Sequence, residues 1–256
     1  ADIDVIKQRA TLYKQIRAFM DERRILEVDT PVLSRYGITD PYIESMQTQC
    51  SFDENAPLYL QTSPEFYMKR LLVAGSGSIY QIAHVFRNEE SGKRHQTEFN
   101  MLEWYRTGFD YHQLMEELGK LLIFIGLEAP DKMSYADVFM EVTKLNPHTA
   151  EIADLQSLCQ QQGWHTTEED RHILLDYIYS EIVMKNISNK KPLIIYDYPA
   201  CMSALATLKQ SDPVVSERFE LFINNMEIAN GFNELTNADE QLERVEAELA
   251  LRKKRG

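Results

Sequence analysis

The sequence predicts an α+β fold, a mostly antiparallel β-sheet flanked by helices, in a single domain over residues 1–256. Three observations carry this. Two alternating strands, Ser78–Glu89 and Thr97–Arg106, flank the polar loop EESGKRHQ, with Gly92 as its turn residue. A helical pattern opens the chain: over Asp4–Arg24, Leu12, Ile16, Phe19 and Met20 recur at helical spacing. Further strands, LIIYDYP and Arg218–Ile223, follow a run of helical segments.

The elements follow in order. After the first helix, ILEVDTPVLS is β-branched up to Thr30-Pro31, and proline there suits an edge strand. Residues 34–57 show little apolar pattern and read as loop and short strand; Leu58–Gln61 is a short strand. In TSPEFYMKRLLVAGSG, Thr62 or Ser63 caps a helix whose first turn holds Pro64 and Glu65, and Gly75 or Gly77 stops it. Glu65 is favoured there by the helix dipole whatever else it does. The Gly-Ser-Gly at 75–77 is not a phosphate loop, since no Gly-Lys-Ser/Thr follows and a helix precedes it. Beyond the hairpin, Tyr111–Leu127, Ser134–Thr143, Leu155–Gln162 and Glu168–Met184 form a helical insertion over about 107–190. Trp164, Tyr177 and Tyr179 read as packing residues. The tail from Asn237 to Arg255 is a charged amphiphilic helix, acidic at its start and basic at its end, as the dipole prefers.

Composition bounds the function. A chain of 256 residues with 44% hydrophobic and 26% charged residues is long enough to bury a sizeable core; chains of this size bury roughly 70–75% of their unfolded surface. A net charge of −13 argues against wholesale binding of nucleic acid and favours a basic partner or a small cationic substrate. Cys50, Cys159 and Cys201 are far apart and form no C-x-x-C, which fits reduced thiols and a cytoplasmic protein. The N-terminus is too polar for a signal peptide, and the apolar run Leu121–Leu127 is too short to span a bilayer. The six histidines show no zinc-ligand spacing.

Side chains alternate along a strand. Val85, Arg87 and Glu89 therefore share one face of the first strand, and Phe99, Met101, Glu103 and Tyr105 one face of the second. A half-buried surface with that many charges is costly unless it binds something. The plainer alternative is a solvated hairpin with internal ion pairs, which are individually weak. Later, Glu227 and Glu234 are seven apart and would face opposite ways on an unbroken strand. A one-residue bulge at Asn230-Gly231 would bring both to one face. Converging carboxylates near a polyphosphate suit magnesium; an acidic hairpin turn is the alternative.

The residue order adds a resemblance. FRNEESGKRHQTEFNMLEWY resembles motif 2 of class II aminoacyl-tRNA synthetases in its lysyl form; the first helix with VDTPVL resembles their motif 1, and EIANGFNEL the Glu-Leu/Ile-x-Asn-Gly-x-x-Glu-Leu segment of the lysyl-type enzymes. Ser63 stands where lysyl-tRNA synthetases usually have Ala, which resembles a shorter paralogous family, the ligases that attach a β-lysine to elongation factor P. Nothing in the chain resembles motif 3, so the resemblance implies a chain stopping short of it.

The class II catalytic fold is what the resemblance implies, with ATP and Mg2+ as cofactors and amino-acid activation as the chemistry. Arg87 would bridge the substrate carboxylate and the α-phosphate. Asn88 and Glu89 would meet the adenine end, Phe99 would stack on the ring, and Arg94, His95 and Gln96 would reach the ATP. Glu227 would hold magnesium, with Glu234 as a second ligand and Ile228 beside the nucleotide. Ser63, Glu65, Tyr105 and Glu234 would bind lysine or β-lysine, supported by Glu103 and Asn230. The resemblance further implies a homodimer with elongation factor P as acceptor, tRNA and membranes being disfavoured. A lysyl-tRNA synthetase fragment and a non-catalytic regulatory paralogue remain as alternatives.

Overall fold

A computed structural model describes residues 2–51, 53–88, 96–187 and 191–255. They cluster into two compact units, residues 1–108 with 237–256, and residues 109–236.

In the first unit, helix α1 (Ile3–Glu22) starts where the Asp2 carboxylate accepts the Asp4 N–H at 2.9 Å. It buries Ile16, Phe19 and Met20, and the chain turns out of it at Arg24, with φ 56°. Strand β1 (Leu26–Glu27) follows, then β2 (Leu33–Ser34), β3 (Gln47–Cys50) and β4 (Asp53–Leu60). The sheet β2–β4–β3 forms where the sequence reads mostly as loop. Strand β2 pairs with β4 across the intervening β3, and the strands lack clean alternation, so the hairpin of β3 and β4 is poorly announced by local pattern. Helix α2 (Glu65–Val73) ends at Ala74, and Gly75 takes a left-handed φ of 90°.

Strands β5 (Ile79–Phe86) and β6 (Glu98–Tyr105) form the antiparallel hairpin, with β1 parallel on the outer side of β5. Their register sets Val85 opposite Phe99, Ala83 opposite Met101, Gln81 opposite Glu103 and Ile79 opposite Tyr105. The two odd-numbered faces therefore coincide. Val85, Ala83, Gln81 and Ile79 are buried, so charges on β6 sit against a largely apolar strand.

The second unit opens with α3 (Tyr111–Phe124), closed by a capping box between Asp110 and Gln113. Strand β7 (Asp131–Ser134) and helices α4 (Tyr135–Thr143), α5 (Ile152–Gln161) and α6 (Arg171–Ile178) follow. A five-residue π-turn, Tyr179–Val183, and the short α7 (Met184–Asn186) complete the helical run. The helix expected from Glu168 begins instead at Arg171, because the Asp170 side chain accepts the His172 N–H. Strands β8 (Leu193–Pro199), β9 (Leu208–Lys209), β10 (Val215–Ile223) and β11 (Met226–Phe232) join β7 in a five-stranded sheet. Its core gathers Tyr135, Phe139, Leu155, Leu175, Ile195 and Tyr198. Trp164 and Tyr177 pack ring to ring at 4.5 Å.

Two features of β10–β11 depart from the sequence-based expectation. The turn lies at Asn224-Asn225, both left-handed with φ 52° and 58°, as a tight hairpin requires. The register shift lies at Ile228, between the pairs Leu221–Ala229 and Phe222–Glu227, rather than at Asn230-Gly231. Gly231 is required for a different reason, since a Cβ there would lie 2.5 Å from the Phe219 ring.

The last helix, α8 (Ala238–Arg255), returns to the first unit, capped by the Asn237 side chain, which accepts the Asp239 and Glu240 N–H groups. Arg252 donates to the Asp40 and Ile43 carbonyls at 2.7 and 2.9 Å and pairs with Glu44. The helix thereby ties down the segment that precedes β3.

Candidate active site

In the first unit an acidic cluster forms where α2 starts beside β6. Glu103 accepts at both carboxylate oxygens, from Ser63 Oγ at 2.8 Å and from the Tyr105 hydroxyl at 2.7 Å. Ser63 in turn accepts the Glu65 N–H at 3.0 Å, so one hydroxyl fixes the helix start and the carboxylate together. Glu65 pairs with Lys69 at 2.6 Å, one helical turn on. Burial, and then the nearby Glu65 charge, push Glu103 up to about 7, against the hydrogen bonds from Tyr105 and Ser63 and the Lys69 ammonium. Beside it on β5, buried Gln81 accepts from Thr30 at 2.9 Å.

The motif 2 residues continue along the same hairpin. The Arg87 guanidinium lies 5.4 Å from the Phe99 ring centroid and makes a long contact of 3.5 Å to the Thr62 carbonyl. The Asn88 N–H donates to the Glu44 carbonyl at 2.8 Å, joining the hairpin to the segment that Arg252 ties down. Gln96 is exposed. Glu89, Arg94 and His95 lie outside the described residues. A cation, an aromatic face and backbone groups on adjacent strands are a donor set that fits an anionic, planar nucleotide.

In the second unit the register shift at Ile228 puts Glu227 opposite Phe222 and Asn230 opposite Glu220. Both then lie on the face of β10 that carries Arg218, Glu220 and Phe222. Ile228, at the shift, is exposed. Beyond the strand, Glu234 bridges to Ala206, and its carbonyl accepts from the Thr207 hydroxyl at 2.9 Å. Among the described residues, no three His, Cys, Asp or Glu side chains converge as in a closed metal cage. Magnesium in nucleotide sites commonly takes one or two carboxylates and fills its shell with phosphate oxygens and water. Glu227, on β11 near the Asn224-Asn225 turn, or Glu234, beyond the strand, would each supply one such carboxylate.

Several residues were not singled out from the sequence. Lys69 carries a legible signal, its i,i+4 spacing from Glu65. Glu44, Gln81, Arg218 and Glu220 carry none, because what distinguishes them is a partner outside any local pattern.

Comparison with known proteins gives the family. The profile of the family "tRNA synthetases class II (D, K and N)" matches residues 3–255. The chain is 44% identical to the elongation factor P–(R)-β-lysine ligase of Vibrio vulnificus, over 98% of this chain and 80% of that protein. It is 43% identical to the enzyme of that name from Pasteurella multocida, over 100% of this chain and 81% of that one. With the Mannheimia succiniciproducens enzyme of the same name, identity is 44%, over 100% of this chain and 81% of that one. With a hairpin that carries motif 2 and a profile match across nearly its whole length, this chain belongs to the class II tRNA synthetase family as an ATP-dependent amino-acid ligase.

Proposed function

We propose that the protein activates lysine or β-lysine as an adenylate and transfers it to a lysine side chain of elongation factor P. The observation that carries this is the acidic cluster: Glu103, hydrogen-bonded at both oxygens and pushed up to about 7, lies within electrostatic reach of Glu65. Such a site takes an ammonium group, since a desolvated cation needs a carboxylate partner. Lys69 already satisfies Glu65 from within the chain. The names of the relatives, and Ser63 at the Ala position of lysyl-tRNA synthetases, support the acceptor.

In this reading a substrate carboxylate oxygen attacks the α-phosphorus of ATP. The bond to the bridging oxygen breaks and pyrophosphate leaves. The acceptor amine then attacks the acyl carbon, AMP departs, and the amine's extra proton passes to solvent. Arg87 neutralises charge as the two anions meet and Phe99 flanks the base, while Glu65, Glu103, Tyr105 and Ser63 hold the diamino acid. Asn88, Glu89, Arg94, His95, Gln96 and Ile228 belong to the nucleotide side, and Asn230 and Glu234 to the amino acid. Bound at Glu227 and Glu234, magnesium would offset phosphate charge. A homodimer in the cytoplasm is part of the proposal. Ile3, Val5, Ile6 and Leu12 on α1, the motif 1 helix, are exposed apolar residues that suit an interface. No described helix is long and apolar enough to cross a membrane.

Pyrophosphate exchange with ATP, Mg2+ and either α-lysine, β-lysine or norleucine tests activation. Exchange with a diamino acid and none with norleucine is expected; exchange with no diamino acid refutes the reading. Labelled lysine or β-lysine should then appear on elongation factor P, and robust charging of tRNA instead refutes the acceptor. Arg87→Ala should abolish exchange, and retained exchange contradicts its role.

A further inference from the structure

Beneath the β10–β11 hairpin runs a polar chain whose buried or nearly covered members, Tyr179, Tyr198, Glu220 and Arg218, have no part in the proposed chemistry. Tyr179 and Tyr198 meet hydroxyl to hydroxyl at 3.0 Å. Tyr198 donates its hydroxyl proton to Glu220 Oε2 at 2.6 Å, so the hydroxyl–hydroxyl bond must be donated by Tyr179. Glu220 Oε1 pairs with Arg218 Nη2. Arg218 Nη1 donates to the Met202 carbonyl at 2.9 Å, and its Nε donates to Asn230 Oδ1 at 3.1 Å. The guanidinium also lies 4.8 Å from the Tyr198 ring centroid. Burial holds both phenols well above the ordinary phenol range, so neither loses its proton at working pH and the chain keeps one direction.

A guanidinium only donates. The Asn230 atom facing Arg218 is therefore its carbonyl oxygen, and the amide NH2 must face the other way. Asn230 itself is exposed, whereas Arg218 and Glu220 are nearly covered, with side-chain exposures of 15% and 9%. One end of the chain is thus sealed in the core among Tyr135, Tyr179 and Tyr198, and the other ends on a single carboxamide at the surface.

We infer that Arg218 is a positioning residue. Held by Glu220, Tyr198 and Tyr179, it fixes the Asn230 carboxamide so that this residue offers substrate a hydrogen-bond donor and never an acceptor. The inference rests on the proposed role of Asn230 in amino-acid binding.

The test measures KM for the diamino acid and for ATP by pyrophosphate exchange, with thermal melting, in Asn230→Ala, Asn230→Asp, Arg218→Lys and Arg218→Lys/Asn230→Ala. Asn230→Ala should raise the amino-acid KM about tenfold with the ATP KM within about twofold. Asn230→Asp keeps an oxygen for Arg218, so it should melt no lower than wild type, yet raise the amino-acid KM at least as far as Ala. Arg218→Lys should raise that KM about tenfold and change it less than about twofold in the Asn230→Ala background. A normal KM in Asn230→Ala would overturn the binding role of Asn230, and the inference with it. A raised KM there with additive effects of Arg218→Lys would overturn the inference alone. So would a lowered KM in Asn230→Asp, which shows an outward acceptor and needs no change at Arg218 should Arg218→Lys fail to fold.

Discussion

Replacing Glu103 with Gln should make the protein more stable at pH 8 and leave it nearly unchanged near pH 5. The magnitude follows from the raised affinity for a proton. An unfolded glutamate ionises near 4.5, while Glu103 in the folded state is pushed up to about 7 by burial and by Glu65. Between those values the native state holds a proton that the unfolded chain has lost. Stability therefore falls as pH rises through this window and the loss is complete above about 7. A difference of this size is worth at most about 3 kcal/mol, at roughly 1.4 kcal/mol per pH unit. The substituted glutamine is neutral throughout, and the Ser63 and Tyr105 hydroxyls, bound to Glu103 at 2.8 and 2.7 Å, can rotate to meet its amide.

Melting both proteins from pH 5 to 8.5 checks this. The curves should diverge across pH 5–7, reaching roughly 5–10 °C at about 2–4 °C per kcal/mol. A pH-independent difference, or a Gln variant uniformly less stable, would refute the reasoning, because Glu103 would then ionise at an ordinary pH. The same proton governs substrate. Only the carboxylate form attracts an ammonium, so the wild-type KM for a diamino acid should rise about tenfold per pH unit below about 7. In Glu103→Gln the profile should be flat and the KM high.

Ser63→Ala removes the acceptor for the Glu65 N–H and a donor that lowers Glu103; it should cost about 1 kcal/mol in denaturant titrations and move the midpoint of the KM profile to higher pH. Gly231→Ala drives a Cβ to 2.5 Å from the Phe219 ring, so thermal melting should show a loss of about 1–3 kcal/mol. Arg252→Ala frees the Asp40 and Ile43 carbonyls and the Glu44 carboxylate; roughly 2 kcal/mol of local stability should go, read as protease cleavage within residues 39–44 and a raised ATP KM through the Glu44–Asn88 bridge.

What the sequence disclosed was whatever depends on neighbours along the chain. The hairpin of β5 and β6 and the amphiphilic α8 are periodic or capped, and each appears within a few residues of its expected bounds; α2 starts at Glu65 as expected, but its N-cap is Pro64, which makes no side-chain cap hydrogen bond, and neither Thr62 nor Ser63 holds that position. The Asn224-Asn225 turn is hard to read because Met226–Phe232 continues the strand pattern and Asn230-Gly231 looks like the better turn dipeptide. The Ile228 shift is fixed by cross-strand pairing with β10, which no window along β11 contains. Tyr179 reads as a packing residue and does stack on Tyr135, yet its hydroxyl also begins the chain to Asn230. That chain draws on residues 179, 198, 218, 220 and 230, so only the folded sheet assembles it.

The two polar clusters differ in a way that bears on what each is for. Arg218 and Glu220 balance one another, further bonds hold them within the protein, and a buried pair of this kind contributes little net stability. Its value lies in holding one geometry. The cluster of Glu65, Glu103 and Lys69 cannot balance itself with both carboxylates ionised: two negative charges face one positive. It reaches neutrality by keeping a proton on Glu103 to about pH 7. That proton stands where an ammonium group would serve equally well. A cluster short of one positive charge, stable only with a placeholder, is how a site for a cationic amino acid looks before the amino acid arrives. A structural ion pair has no such deficit, and this, more than the number of acidic residues, separates the proposed substrate pocket from the scaffold.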